Sequence, residues 1–550
     1  MKNTLIVVLT LILASCSQED PAPGSPETTT EGTGNGYETT IRWTSYGIPH
    51  IKADDWGSLG FGAGYSLARD AICVLAEEVV TVNGDRARYF GPGEDRKNLN
   101  RDVFHRALLS EAAIERFENN MNSDMQAMTD GYIAGYNRYL QDHRGELPTA
   151  CKGKDWVRPI NRDDVAKITV GVGIRYGWGR IVDEIANATP PDDHKDGNAT
   201  TAALEPLPQL TPDTGKTGSN AYAIGKSLTR NGKGLLLGNP HYPWKGPSRF
   251  HMAHFTLPGE LDIMGVGLYT TGTFVAIGFN RHVAWSHTVS TALRFTLFEL
   301  SLVDGNPLAY HFDDEQRELE QRTVTVEVMG ADDKIETLEK TVYMSDFGPV
   351  FESEDTPWTR DKAYVMRDIN FENNRGAPQY FHLGQATSVT DIEESLARHQ
   401  GVSFVNTVAA DRHGNAFYGD MSAIPYVDQE LLERCKTGPE QVRGRRVIVL
   451  DGSRQDCQWK SDDSAAAPGV LPPEELPRLT TDSYVTNSND SYWLSNPDQP
   501  LEGYAPIIGD EGTARSLRTR AGINFIQEII DAGKKFDRQT VQDIMYNHRH

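Results

Sequence analysis

The pattern of apolar and polar positions changes character twice along the chain. From Glu38 to about Ala188 it is mainly helical after one strand-like opening. "ETTIRWTSYGIPHIKA" alternates with period two and breaks at Gly-Ile-Pro. "WGSLGFGAGYSLARDAICVLAEEVVTVNGDRARYFGPG", "MTDGYIAGYNRYLQDH" and "WVRPINRDDVAKITVGVGIRYGWG" then repeat their apolar residues every three or four positions and predict helices. Residues 189–218 lose that periodicity, fill with Pro, Gly, Thr and Asp, and predict an excisable spacer. From Ser219 onward the runs shorten: "SNAYAIG", "GLLLGNP", "SRFHMAHFTLPG", "LDIMGVGLYTTGTFVAIGFN" and "HVAWSHTVSTA" predict hairpin-linked strands. Roughly Phe298 to Ile369 reads as further sheet, "SVTDIEESLARHQ" as a capped helix, and "FVNTVAADRHGNAFYGDMSAIP" as strand again. "ARSLRTRAGINFIQEIIDAGKK" predicts an amphipathic helix closed by Gly533, and "RQTVQDIMYNH" begins another. A helical lobe followed by a strand-rich one makes an α+β protein.

Composition narrows the partners. The 550 residues carry 77 acidic against 54 basic side chains, a net charge of −23, which disfavours nucleic acid or an anionic membrane surface. The one membrane-like stretch is "TLIVVLTLILA" behind Lys2, too short to span a bilayer and suited to a secretory leader. It ends in "LASC", resembling a bacterial lipobox, with Cys16 as the lipidated first residue of the mature chain; ordinary leader cleavage nearby is the alternative. The expected organisation is a lipoprotein signal peptide at 1–16, a Gly/Ser/Thr/Pro tether at 17–37, a helical first subunit at 38–188, the spacer at 189–218 and a second subunit at 219–550. That implies export to the periplasm with a lipid anchor on the outer membrane. Exported chains tolerate disulfides. Cys73, Cys151, Cys435 and Cys457 allow three pairings, and the short turn-rich loop favours Cys435–Cys457, leaving Cys73–Cys151.

The candidate chemistry sits where the spacer ends. Cutting Gly218–Ser219 would leave Ser219 as a new N-terminus, and a serine hydroxyl needs a base to become a nucleophile. An α-amine of pKa ~8 serves near neutral pH, whereas a lysine at ~10 does not. Cleavage is then activation, and Gly218, lacking a Cβ, would let Ser219 Oγ reach the preceding carbonyl from a strained backbone. Other motifs read as structural. "GFGAGYS" lacks the leading strand and the Lys-Ser/Thr of a phosphate loop, and Ser66 lacks the second Gly of a nucleophile elbow. His251 and His254 fall on opposite faces of a strand, not a metal pair. No Cys/His cluster suggests zinc.

"GSNAYAIG", "GNPHYPW", "AIGFNRHVAWSHTVST" and "NSNDSYW", in that order and with matching segments upstream, resemble the penicillin acylase family of N-terminal nucleophile hydrolases, in the branch of aculeacin acylase and acyl-homoserine lactone acylases. The resemblance implies an αββα sandwich with Ser219 opening a central strand, and an α/β heterodimer made from one precursor. It implies that the Val289 backbone N–H and the Asn489 side chain hold the oxyanion. His241, expected in the turn after the second strand, would tune the free amine, and Arg518 would support Asn489, with Arg520 competing for that role. By position, Tyr242 and Phe274 are candidates for an apolar acyl pocket. Many members hold a structural calcium through acids after this "HTV" segment. Here Leu293 and Arg294 stand there, which puts calcium in doubt; no other cofactor is expected. The family's second subunit normally continues beyond this chain's last helix, so truncation is an expectation. The implied function is hydrolysis of an acyl amide, foremost an N-acyl-homoserine lactone. A penicillin, cephalosporin or lipopeptide acylase is the rival substrate reading. A catalytically silent surface lipoprotein on the same fold is the rival of another class.

Overall fold

In the computed structural model, which describes residues 30–31, 36–191, 218–268, 274–547 and 549, the opening alternation forms two antiparallel strands, Thr39–Trp43 and Pro49–Ala53, turning at the Gly-Ile-Pro break. The expected leader with Cys16, most of the expected tether and residues 192–217 of the expected spacer lie outside the described residues.

Helices Trp56–Val82 and Ser123–His143 form the centre of the first lobe, and their glycines explain how closely they cross. Gly60 and Gly64 abut the Met128 and Tyr132 carbonyls, while Gly131 and Gly135 abut those of Gly57 and Phe61. A Cβ at any of the four would lie 1.9–2.0 Å from a backbone oxygen. The "GFGAG" run is therefore a helix-packing surface. Ser66 lies buried mid-helix, donating to the Ala63 carbonyl at 3.1 Å. Gly60→Ala is expected to lower stability by ~3 kcal/mol, the upper end of the usual overpacking cost, because neither backbone can retreat without opening the core; a thermal melt unchanged from wild type would refute this. The Cys73–Cys151 bridge staples this lobe and Cys435–Cys457 the second, the pairing the loop lengths favour.

The second lobe is built on three principal sheets. A ten-stranded sheet runs Thr30–Glu31, Thr39–Trp43, Pro49–Ala53, Phe250–Leu257, Leu261–Leu268, Ile277–Phe279, Val283–Val289, Val405–Asp411, Ala416–Gly419 and Arg478–Thr481. The hairpin that precedes the spacer thus joins strands that follow it, through a parallel pairing of His50 with His254. A second sheet takes up the alternating stretch from Phe295–Val303 to Lys362–Asp368. The third has Gly218–Ile224 at its centre, flanked by Leu235–His241 and Tyr484–Asn487.

Layering follows from period-two alternation along the central strand. Ala221 and Ala223 face the main core, whereas Tyr222 and Ile224 face a separate cluster with Ile526, Phe536 and Val541 of the C-terminal helical segment. Small inner side chains bring the sheets close: a Cβ on Gly238 would meet Ser286 at 2.9 Å. Helices Leu517–Asp531 and Arg538–Tyr546 cover the outer face of the small sheet. Gly376–Gln385 and Val389–His399 cover that of the large one. The order is helix, sheet, sheet, helix, as the αββα expectation requires.

The lobes also share a buried carboxyl. Asp368 accepts N–H bonds from Trp178 at 3.2 Å and Asn370 at 2.9 Å, and burial pushes its pKa up to about 7 against those bonds. The native state holds this proton more tightly than the unfolded chain does, with a carboxyl pKa of ~3.9. The group's stabilisation is therefore full below that value and is lost as pH rises through about 7. Melting midpoints of Asp368→Asn from pH 4 to 8 should lack that part of the slope; an unaltered slope would contradict it.

Candidate active site

Ser219 is the second residue of the central strand, its side chain on the inward face, only 3% exposed. The strand pairs through it, but its own N–H and carbonyl are taken by side chains. Pro240, with no N–H, lies across from it on one side, and on the other the pairing ends at Asn487 and Ala221. The Ser219 N–H donates instead to Asn489 Oδ1 at 2.6 Å, and its carbonyl accepts from Arg518 Nη1. The hydroxyl donates to the Gly218 carbonyl at 2.6 Å, directly at the bond whose cleavage the sequence suggests.

Asn489 reaches this position through a left-handed backbone, φ +67°, which asparagine tolerates better than most residues. Its Oδ1 also accepts from Arg518 Nη2 at 2.8 Å, and two donors on one oxygen settle the amide's orientation. Its Nδ2 then donates to the Val289 carbonyl at 3.0 Å. Val289 lies opposite Val405, and the next residue's N–H bonds Phe404 at 3.0 Å. Val289 and Val405 are therefore a non-hydrogen-bonded pair, and Val289 turns its own N–H and carbonyl away from that neighbour. On that side the adjacent strand pairs no further than Trp285. The two expected oxyanion donors thus lie side by side.

Arg518 is half-buried on the first turn of Leu517–Asp531, whereas Arg520 is exposed. A third contact, to Asn220 Oδ1 at 3.0 Å, completes its clamp on the Ser219 strand. His241 is not in a turn: the strand continues through it and pairs it with Gly218. Burial, with the Arg518 charge added, holds its imidazole below the usual histidine value, so it is neutral near pH 7. A second correction concerns Gly218, whose φ is not left-handed. The reason for glycine is space, since a Cβ would meet Arg518 Nη2 at 2.9 Å and Asn489 Oδ1 at 3.1 Å.

Tyr242 and Phe274 have different immediate neighbours. Tyr242 stacks on Phe250 with ring centroids 4.9 Å apart and shares a 3.1 Å hydroxyl contact with Tyr176, a first-lobe residue the sequence did not single out. Phe274 lines an apolar crevice with Trp56, Phe255, Tyr380 and Phe381. At the position where the resemblance places calcium ligands, Arg294 is 3% exposed and pairs with Asp420 at 3.1 Å. His251 meets Asp70, and His254 meets His50 and Asp262, so the two histidines do diverge. Among the described residues, the one cluster with metal-ligand spacing is Cys435, Asp456 and Cys457, and its two thiols are spent in the disulfide. No helix among the described residues is long and apolar enough to cross a membrane.

The penicillin amidase family model matches residues 38–550. Acyl-homoserine lactone acylase PvdQ of Pseudomonas putida is 41% identical over 493 residues, covering 88% of this chain and 63% of that protein. Aculeacin-A acylase of Actinoplanes utahensis is 40% identical over 560 residues, covering 98% and 70%. A solved thermostable penicillin G acylase from Alcaligenes faecalis superposes with a TM-score of 0.45 at 17% identity, over 59% of this chain and 51% of that one. The chain spans 63% and 70% of the length of the two curated relatives. By the family model over residues 38–550 and the likeness to the two curated relatives, the chain belongs to the penicillin amidase family.

Proposed function

We propose that this chain is the precursor of an N-terminal nucleophile amidohydrolase that removes an acyl chain from an amide, foremost an N-acyl-homoserine lactone. The single observation that carries the reading is the convergence of Asn489 and Arg518 on the N–H and carbonyl of a buried Ser219 whose hydroxyl touches the Gly218 carbonyl.

In the first step Ser219 Oγ attacks the Gly218 carbonyl and displaces the Ser219 nitrogen, and water hydrolyses the resulting ester. Hydrolysis of a second peptide bond, at the start of the 189–218 spacer, releases that segment and leaves the 38–188 and 219–550 subunits of a heterodimer. The freed amine stays beside Asn489 Oδ1, the acceptor its N–H already uses. In turnover the amine takes the Ser219 Oγ proton as the oxygen attacks the substrate carbonyl, and the proton passes to the leaving amine. The oxyanion sits against the Val289 N–H and Asn489 Nδ2. Neutral His241, across from Gly218, keeps a second positive charge away from the new amine. Water then hydrolyses the acyl-enzyme. Tyr242 and Phe274 would meet the acyl chain from separate sides.

No cofactor enters this scheme. The buried Arg294 guanidinium supplies Asp420 with a cation of its own, and its Nε donates to the Ser403 carbonyl at 3.0 Å. That position suits an internal ion pair rather than calcium, which takes a shell of oxygen ligands. Export through the 1–16 leader, with Cys16 as a lipid anchor in the periplasm, belongs to the same reading. It is tested separately by the mass of the membrane-extracted chain.

A lipopeptide substrate is the second reading, favoured by the equal likeness to aculeacin-A acylase. Matured protein should be offered N-acyl-homoserine lactones of several chain lengths, an acylated cyclic peptide and a phenylacetyl amide, with the released amine quantified. Fastest release of homoserine lactone supports the first reading and of the peptide the second. Release from none of them refutes both.

A further inference from the structure

The two oxyanion donors belong to different sheets, and a closed set of buried side chains ties them together. Asn406 lies opposite Thr288 on the neighbouring strand, and Thr288 immediately precedes Val289. Asn406 Nδ2 donates to Thr288 Oγ1 at 3.0 Å and to Asn487 Oδ1 at 3.3 Å. Thr288 Oγ1 donates to the same Asn487 oxygen at 2.7 Å, and so does the backbone N–H of Asn489 at 2.8 Å. One oxygen thereby gathers the strand that carries Val289, the strand that carries Asn406 and the loop that carries Asn489. Tyr418 OH donates to Asn406 Oδ1 at 2.9 Å, which dictates which end of that amide faces the network. All four side chains are at most 3% exposed, so an unmade bond among them carries the high cost of a buried unpaired polar group.

We propose that Asn406, oriented by Tyr418, is a positioning residue that sets the spacing between the Val289 N–H and Asn489 Nδ2. It touches neither substrate nor nucleophile. The inference rests on the reading of Ser219 as the nucleophile. Only an asparagine satisfies the pattern. Both hydrogens of Nδ2 are used, and burial keeps the Tyr418 hydroxyl protonated as a donor to Oδ1. Aspartate has the same shape but would present an oxygen to Asn487 Oδ1. A network of this kind acts on the acylation step rather than on acyl-chain binding, because misplacing an oxyanion donor matters only once charge develops.

The test compares matured wild type with Asn406→Asp and Tyr418→Phe, normalised to the fraction of chain cut at Gly218. kcat and KM are measured on a fatty-acyl p-nitroanilide. Affinities are measured for an alkylboronic acid, which forms an anionic tetrahedral adduct with Ser219 Oγ, and for the fatty acid of matching length. The expected result is a fall in kcat of ~10-fold or more, since small misplacements of reacting groups carry large rate costs. KM should stay within about twofold, and the boronate should weaken in step with kcat while the fatty acid does not. Unchanged kcat in both variants overturns the proposal, as does equal weakening of boronate and fatty acid. Should Asn406→Asp fail to fold, Tyr418→Phe decides alone. A wild type that stays uncut and binds no boronate defeats the nucleophile reading and this inference with it. A cut, boronate-binding wild type beside indifferent variants defeats the inference alone.

Discussion

Ser219→Ala is expected to remain one uncut chain with no amidase turnover, while wild type yields a second chain beginning Ser-Asn-Ala-Tyr. The reason is geometric. The hydroxyl that lies 2.6 Å from the Gly218 carbonyl oxygen is the group placed to attack that peptide, and alanine removes it without disturbing the strand. Ser219→Cys keeps a nucleophile at the same place and should still be cut, more slowly or faster according to thiolate access, whereas Gly218→Ala should be cut poorly. Its Cβ would press on Arg518 and Asn489, the two side chains that fix the scissile bond. Intact mass and N-terminal sequencing read all four proteins. Cleavage of Ser219→Ala at the same bond would mean that another group or a contaminating protease does the cutting, and the Ser219 assignment would fall.

The second large effect is at Asn489. Loss of its side-chain donor is expected to lower kcat per matured site by ~10²–10³, the usual consequence of removing one oxyanion donor. Asn489→Gly and Asn489→Ala separate chemistry from folding. The residue sits at φ +67°. Glycine adopts that backbone freely, while alanine costs ~1–2 kcal/mol there. Both should lose turnover alike and both lose the hydrogen bonds of the side chain, but Asn489→Ala should melt earlier than Asn489→Gly. Because Oδ1 also holds the Ser219 N–H and Arg518, both variants should mature slowly, so sites must be counted by covalent labelling of Ser219 before rates are compared. Wild-type turnover per site in Asn489→Gly would remove Asn489 from the oxyanion hole.

Long periodic segments and local chemistry were readable from the chain. The 27-residue helix Trp56–Val82, the capped helix Val389–His399 and the strand opening at Gly218 all follow patterns of apolar spacing or capping that act over a few residues. Helix Gly376–Gln385 was not readable. Gly376 and Gly384 weaken the local helix signal, and buried Gln379 Oε1 ties the helix to the chain beyond it by accepting the N–H groups of Gly401 and Val402 at 2.6 and 2.8 Å. His241 likewise looks like a turn residue after Asn-Pro, yet the ladder runs through it.

At the site, the sequence by itself determined the candidates: the serine at the expected spacer boundary, the histidine, the valine, the asparagine and the arginine, each carried by a short motif. Only the tertiary structure decided which of them meet. It chose Arg518 over Arg520, because one of the two meets the Ser219 strand and the other is exposed to solvent. It replaced strain by space as the reason for Gly218. It revealed Asn406 and Tyr418, 187 and 199 positions beyond Ser219. No local pattern marks those two, because their significance lies in hydrogen bonds made across sheets, and a buried bond is specified by which strands become neighbours rather than by which residues adjoin in the chain.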